Sequence, residues 1–177
     1  MAPDIAESWE QFRQVLEVYG DVHLVLNPPC STGQIREVET RLGFELPPSL
    51  KALLAINNGQ RVNSNRVKKG IFKSVSGWDV YERHIFLGIR EIETAYRTFI
   101  GDSVLRSEFG VSEIPFAVAG SPREYREAFC LNRSTGVVSL IWTEHADPFN
   151  PAEWQAKKFT RAEFLAEFIQ KQIEFYR

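Results

Sequence analysis

Residues 31–60 read STGQIREVETRLGFELPPSLKALLAINNGQ, and they spell two helices joined by a proline corner. Ser31 and Gln34 have capping-box spacing: the serine side chain accepts from the backbone N–H three residues on, and the glutamine reaches back to the serine N–H. Ile35, Val38 and Leu42 fall on one helical face, and Gly43 supplies the left-handed residue that stops the helix. Leu46-Pro47-Pro48 resets the chain, and Pro48 suits the first turn of a new helix, where its missing N–H is not needed. Leu50, Leu53 and Leu54 make the buried stripe of that second helix, which Asn58-Gly59 ends.

Working outward, Asp4 with Glu7 repeats the capping-box spacing ahead of Trp9, Phe12, Leu16 and Tyr19, a third helical stripe stopped at Gly20. Residues 21–29 form an apolar connector closed by two prolines. Downstream, Ile71-Phe72 and Ile85-Phe86-Leu87 read as strands, and Ile89, Ile92, Tyr96 and Phe99 as a helix stopped at Gly101. Ile114 to Val118, Ala128 to Leu131 and Val137 to Trp142 read as antiparallel strands, with Asn132 to Gly136 as a hairpin loop. For the closing helix, Thr160 and Glu163 give a capping box and Phe159 and Phe164 a hydrophobic staple. Leu165, Phe168, Ile169, Ile173 and Tyr176 are its buried stripe. Without strand–helix alternation the class is α+β. The expected architecture is one domain over residues 1–177, a mainly antiparallel sheet with N-terminal helices and a C-terminal helix packed on it.

Composition narrows the function classes. The 177 residues are 44% hydrophobic and 25% charged, and 21 basic against 23 acidic side chains give a formal net charge of −2. That balance argues against a strongly basic nucleic-acid binder, and no nucleic acid is expected as partner. Cys30 and Cys130 form no CxxC, so neither a disulfide framework nor a cysteine zinc site is indicated, and a reducing compartment follows. No segment reaches the roughly 20 apolar residues that span a bilayer, and the N-terminus has no secretory pattern. The expectation is a cytoplasmic protein that engages no membrane. Charge is nonetheless segregated: residues 46–78 hold six basic and no acidic side chains, and residues 79–153 hold twelve acidic and seven basic ones.

The 31–60 segment resembles the opening motif of the Smi1/Knr4 family, the superfamily also called SUKH. The family pattern is a helix carrying a glutamate and ending in Leu-Gly, then Leu-Pro, a second helix and Asn-Gly. Here these are Glu39, Leu42-Gly43, Leu46-Pro47, Leu50 to Ile56, and Asn58-Gly59. Trp9, Gly70-Ile71-Phe72, Leu87-Gly88-Ile89, Ile114 to Ala117, Phe129-Cys130-Leu131 with Gly136-Val137, and the Phe-rich last helix extend the likeness over most of the chain. Two segments depart from it: Ser121 to Glu127, where relatives carry a Gly/Asp-rich turn, and the loop around Gly77 to Arg83. The resemblance implies a SUKH-like fold and a non-catalytic protein-binding module with no cofactor. Its first functional reading is an intracellular immunity protein that neutralises a cognate toxin by binding it. The alternative is a regulatory scaffold for cell-wall synthesis or signalling. The motif residues Trp9, Glu39, Gly43, Leu46, Pro47, Asn58 and Gly59 are read as mainly structural.

Other groups were weighed for chemistry. Glu39, beside an apolar stripe, is either a carboxylate with a raised pKa poised for catalysis or an acceptor that holds the proline corner, and a lone carboxylate is not a mechanism. Glu144-His145-Ala146-Asp147 would turn only two metal ligands to one side of an extended chain, and it reads better as a polar loop than as the centre of a metal-dependent hydrolase. Cys130, between Phe129 and Leu131, reads as a small apolar core residue. No catalytic, cofactor or metal residue is assigned. Trp78, Tyr81, Tyr125 and Trp154 lie in loop-like segments beside charges, and aromatic and arginine side chains dominate interface hot spots. With the basic run they define the candidate partner surface: Arg66, Lys68, Lys69, Trp78, Tyr81, Arg83, Arg123, Tyr125, Arg126 and Trp154.

Overall fold

The computed structural model describes residues 4–18, 26–61, 70–74, 83–145 and 154–177. Helix α1 (Ile5–Val18) opens on Asp4, whose side chain accepts from the Ala6 N–H at 3.0 Å, and it buries Ser8, Trp9, Phe12 and Leu16. Glu7 does not close a box there; its carboxylate accepts from Gln11 Nε2 one turn on, at 3.3 Å. Tyr19 and Gly20 lie outside the described residues. Helix α2 (Thr32–Leu42) has both halves of its capping box, Gln34 N–H to Ser31 Oγ at 3.2 Å and Ser31 N–H to Gln34 Oε1 at 2.9 Å. Gly43 ends it at φ +78°. Helix α3 (Pro48–Ile56) follows with Leu50, Leu53 and Leu54 buried.

Six strands build the sheet: β1 (Phe72–Lys73), β2 (Arg83–Phe86), β3 (Glu113–Ser121), β4 (Glu124–Asn132), β5 (Val138–His145) and β6 (Trp154–Ala162). They lie side by side in chain order, every neighbouring pair antiparallel. The β4–β5 hairpin is closed by Asn132, whose Oδ1 accepts from the N–H groups of Ser134 and Thr135 at 3.0 Å each. Helix α4 (Ile89–Gly101) and a short α5 (Ser103–Phe109) connect β2 to β3, and α6 (Leu165–Glu174) follows β6.

Alternation along β4 shows how the layers stack. The Phe129 ring meets Phe168 of α6 with centroids 4.7 Å apart, while Ala128 turns to the other face, toward Phe99 of α4 and Leu105 of α5. Helix α1 lies against α6, joined by Gln170 Nε2 to Ser8 Oγ and Gln11 Oε1, 3.1 Å each. Between α1, α6 and the sheet sits a nest of buried rings, in which Phe72 touches Trp9, Phe12, Phe86, Phe116, Phe129 and Phe168. The α+β class, the antiparallel sheet and the flanking helices agree with the sequence reading. No helix among the described residues is long and apolar enough to cross a membrane.

The start of the last helix is corrected, and two elements join those read from the sequence. The Thr160–Glu163 box and the Phe159–Phe164 staple do not start α6: β6 runs on through Thr160 to Ala162, paired with β5 across an irregularity at Arg161, and the helix begins at Leu165 behind an extended Phe164 with no side-chain cap. The Glu163 N–H instead donates to Glu167 Oε2 at 2.7 Å. Strand β6 itself was missed, because Lys157-Lys158 interrupts its apolar alternation. Helix α5 was missed as well; it buries only Leu105, and its signal is Asp102, whose Oδ1 accepts from Val104 and Leu105 N–H at 2.9 and 3.0 Å.

Helices α2 and α4 are clamped at the surface. Arg41 Nε reaches both Glu93 oxygens at 3.1 and 3.0 Å, and Arg97 Nη2 reaches Glu93 Oε1 at 3.0 Å. The Arg41 hydrogen bond holds the Glu93 carboxyl below its ordinary 4.5, against the opposing effect of burial and with the help of Arg97. A carboxyl depressed in the folded state contributes stability that is fully present above its unfolded pKa and is lost as pH falls through its lower folded value. Urea midpoints should therefore fall on acidification below about pH 4.5, and Arg41→Leu should make that fall shallower. An unchanged slope in the variant would contradict the clamp.

Candidate protein-binding face

The 31–60 motif folds into a hydrogen-bonded hub rather than an exposed site. Glu39 accepts the Leu46 N–H on Oε1 at 2.8 Å, with Lys51 Nζ 3.1 Å away, so its carboxylate ties α2 to the proline corner and to α3. Asn58 Oδ1 accepts the Ile89 N–H at 2.7 Å, capping α4 where Gly88 has no side chain to do so. Asn57 Oδ1 accepts from Trp9 Nε1 at 3.0 Å, and Gln60 Oε1 accepts from Phe86 N–H at 2.9 Å and Ile71 N–H at 3.3 Å. Glu39→Ala strands the largely buried Leu46 N–H and should cost about 1–3 kcal/mol. Glu39→Gln keeps an acceptor there and should cost under about 1 kcal/mol, the scale of one partly exposed ion pair. Equal losses in urea titrations of the two variants would contradict this role.

The α6 side of the sheet is only partly roofed. Registers Phe129–Leu140–Phe159 and Glu127–Trp142–Lys157 put these side chains on one face. The Trp142 and Phe159 rings meet edge to face at 5.4 Å, and Phe159 is 42% exposed. Lys157 Nζ lies 5.7 Å from the Trp142 ring centre, and the Arg161 guanidinium 5.8 Å from that of Phe159. Where α6 ends, a cavity of about 250 Å³ opens between Lys73, Phe129, Arg161, Phe168, Lys171 and Phe175.

Beneath this face the fully buried His84 sets Nε2 3.1 Å from Glu127 Oε1, with its ring 4.5 Å from Phe129. Burial works to raise the Glu127 carboxyl, but His84, Ser74 and the charge of Arg161 more than offset this and hold it below its ordinary value. The Arg161 guanidinium is pulled down by burial, which Glu127 opposes. A half-buried and an exposed aromatic ring, each with a cation nearby, thus share one face of the sheet.

The profile of the SMI1 / KNR4 family (SUKH-1) matches residues 29–171. The chain belongs to this family. A comparison with curated proteins finds no match. In this SMI1/KNR4 protein the matched span runs from Pro29 into α6, so it includes the 31–60 segment of the hub and the strands of the partly roofed face, while Trp9 and the last residues of α6 lie outside it.

Of the residues expected at a partner surface, Arg66, Lys68, Lys69, Trp78 and Tyr81 lie outside the described residues. Arg83 opens β2, and its Nη1 is buried without a hydrogen-bond partner among the described residues. Arg123 and Arg126 are exposed at the β3–β4 hairpin. Tyr125 and Trp154 are strand residues rather than loop residues. Tyr125 is also turned inward, its hydroxyl donating to the Ala95 carbonyl at 2.8 Å and pushed up by burial, so it buttresses α4 instead of projecting as an anchor. Glu144 and His145 are likewise in β5 and not in a loop, while Ala146 and Asp147 lie outside the described residues. Cys130 is fully buried and its thiol is pushed up by burial, then by Glu113, leaving no thiolate for attack.

The sequence reading missed Lys157, Phe159, Arg161 and Lys171 on the face, and Gln172 beneath it. Gln172 takes the Lys73 N–H on Oε1 at 2.7 Å and donates Nε2 to the Lys73 carbonyl at 3.1 Å, so α6 grips the edge of the two-residue β1. Its signal was available: an amide standing on the stripe between Phe168, Ile169, Ile173 and Tyr176.

Proposed function

We propose that this SMI1/KNR4 protein is a non-catalytic protein-binding module, an immunity protein that acts in the cytoplasm by covering a cognate toxin. The observation that carries this reading is the partly roofed face: Trp142 and Phe159 in edge contact, cations beside each ring, and a cavity continuing it to the end of α6. Such a face is preorganised by the sheet beneath it, so association does not have to order it first. Two of the groups weighed for catalysis have other employment: Glu39 holds the proline corner, and Cys130 is a buried thiol. A regulatory scaffold would use the same face for several partners of modest affinity.

Affinity capture at moderate salt from cells that make the protein separates the two. One stoichiometric partner, lethal when expressed alone, is expected. Several substoichiometric wall-synthesis or signalling proteins would replace immunity with the scaffold reading.

A further inference from the structure

We propose that the cavity at the C-terminal end of α6 is the seat for a carboxylate side chain from an acidic segment of the protein partner. This rests on the protein-binding reading above. At about 250 Å³ the cavity is smaller than a usual small-molecule site, and its size fits a single inserted side chain. Its floor is apolar, Phe129 and Phe168, and its rim carries Lys73, Arg161 and Lys171 against one carboxylate, Glu174. A glutamate matches that layout: methylenes on the rings, the carboxylate among the cations.

The cations are held in place before anything binds. Lys73 Nζ donates to the Phe175 carbonyl at 3.0 Å and lies 3.7 Å from the Tyr176 ring centre. Lys171 Nζ donates to the Arg161 carbonyl at 2.9 Å, with Glu167 at 2.7 Å. The Arg83 guanidinium, 5.7 Å from the Tyr176 ring centre, adds a further positive charge. Burial, and then the charge of Arg83, push Lys73 toward its neutral form, and a bound anion favours the charged form again. Nucleic acid is the poorer occupant: it asks for a continuous basic track with stacking platforms, whereas this is one small pocket on a chain of net charge −2.

Titration calorimetry of the full chain at low salt, with an oligo-glutamate peptide and an oligo-glutamine peptide of equal length, tests the site. The glutamate peptide should bind and the glutamine peptide should not. Lys171→Glu, at a side chain 47% exposed, should weaken binding at least about tenfold, and Lys171→Gln by less. Arg36→Glu, the same charge change on the exposed face of α2, should leave binding within about twofold. Equal loss in the two charge reversals, or no binding of the glutamate peptide, overturns the pocket; so does inorganic phosphate binding with the same Lys171 dependence while the peptide is silent. If a captured partner binds Lys171→Glu as well as wild type, the pocket fails and the protein-binding reading stands. If no protein partner binds at all, that reading fails whatever the peptide does.

Discussion

Gly59→Ala is expected to abolish the folded state, with a loss above about 4 kcal/mol and a melting temperature lowered by about 10 °C or more wherever a transition can still be measured. Gly59 sits at φ +72°, and a Cβ built there would lie 2.2 Å from Gly88 N, 2.5 Å from Leu87 C and 2.7 Å from Gly88 Cα. Every one of these atoms is backbone, so no rotamer change relieves the overlap. Nor can either segment retreat: Asn27 N–H donates to the Gly59 carbonyl at 2.9 Å, Gln60 N–H to Phe86 O at 2.8 Å, and Ile89 N–H to Asn58 Oδ1 at 2.7 Å. The Asn-Gly pair is therefore the point where the turn after α3 presses against the start of α4.

Gly43→Ala is the internal comparison. Its φ is +78°, but nothing lies within 4 Å of the added Cβ, so only the conformational penalty of about 1 kcal/mol applies. Thermal and urea unfolding of both variants checks this, and comparable losses would contradict the close approach of the two segments.

Trp9→Ala should remove about 3–5 kcal/mol, the range for deleting a fully buried aromatic. The indole is inaccessible to solvent and meets Phe12, Phe72 and Phe86 with centroids 5.7, 6.3 and 5.4 Å away. It also carries the α1 contribution to the hub, through Nε1 to Asn57 Oδ1 at 3.0 Å. Trp9→Phe keeps much of the packing and loses the hydrogen bond, for which about 1–2 kcal/mol is expected. The gap between the two variants in urea titrations measures the packing share. A loss of under about 1 kcal/mol for Trp9→Ala would show that α1 is not part of the cooperative core.

How much of this was legible in the sequence depended on whether a signal is local. The α2 capping box, the Gly43 stop and the Pro48 start are decided by residues a few positions apart, and they were readable. The roles of Glu39, Asn58 and Gly59 as connectors were readable only as a spacing pattern, because their partners Lys51, Ile89 and Gly88 become neighbours through the fold. At Thr160–Glu163 a true local signal was overridden: pairing with β5 gives the Thr160 backbone its hydrogen bonds, and sheet formation wins over the cap. Lys157 and Lys158 hid β6 because one of them points to the partly roofed face while the other pairs with Glu113 on the opposite side. The face itself could not be read, since Trp142, Phe159 and Lys171 come from three elements that only the sheet register and α6 bring together.

Growth of cells expressing the captured partner, with either the wild-type chain or Phe159→Glu supplied in trans, tests the central claim most directly. Phe159 is 42% exposed, so the substitution should leave the fold intact, as a thermal melt will verify. Wild type is predicted to restore growth and Phe159→Glu to fail while remaining folded. Equal protection by the folded variant would contradict the assignment of the binding face, and no protection by wild type would contradict the immunity function.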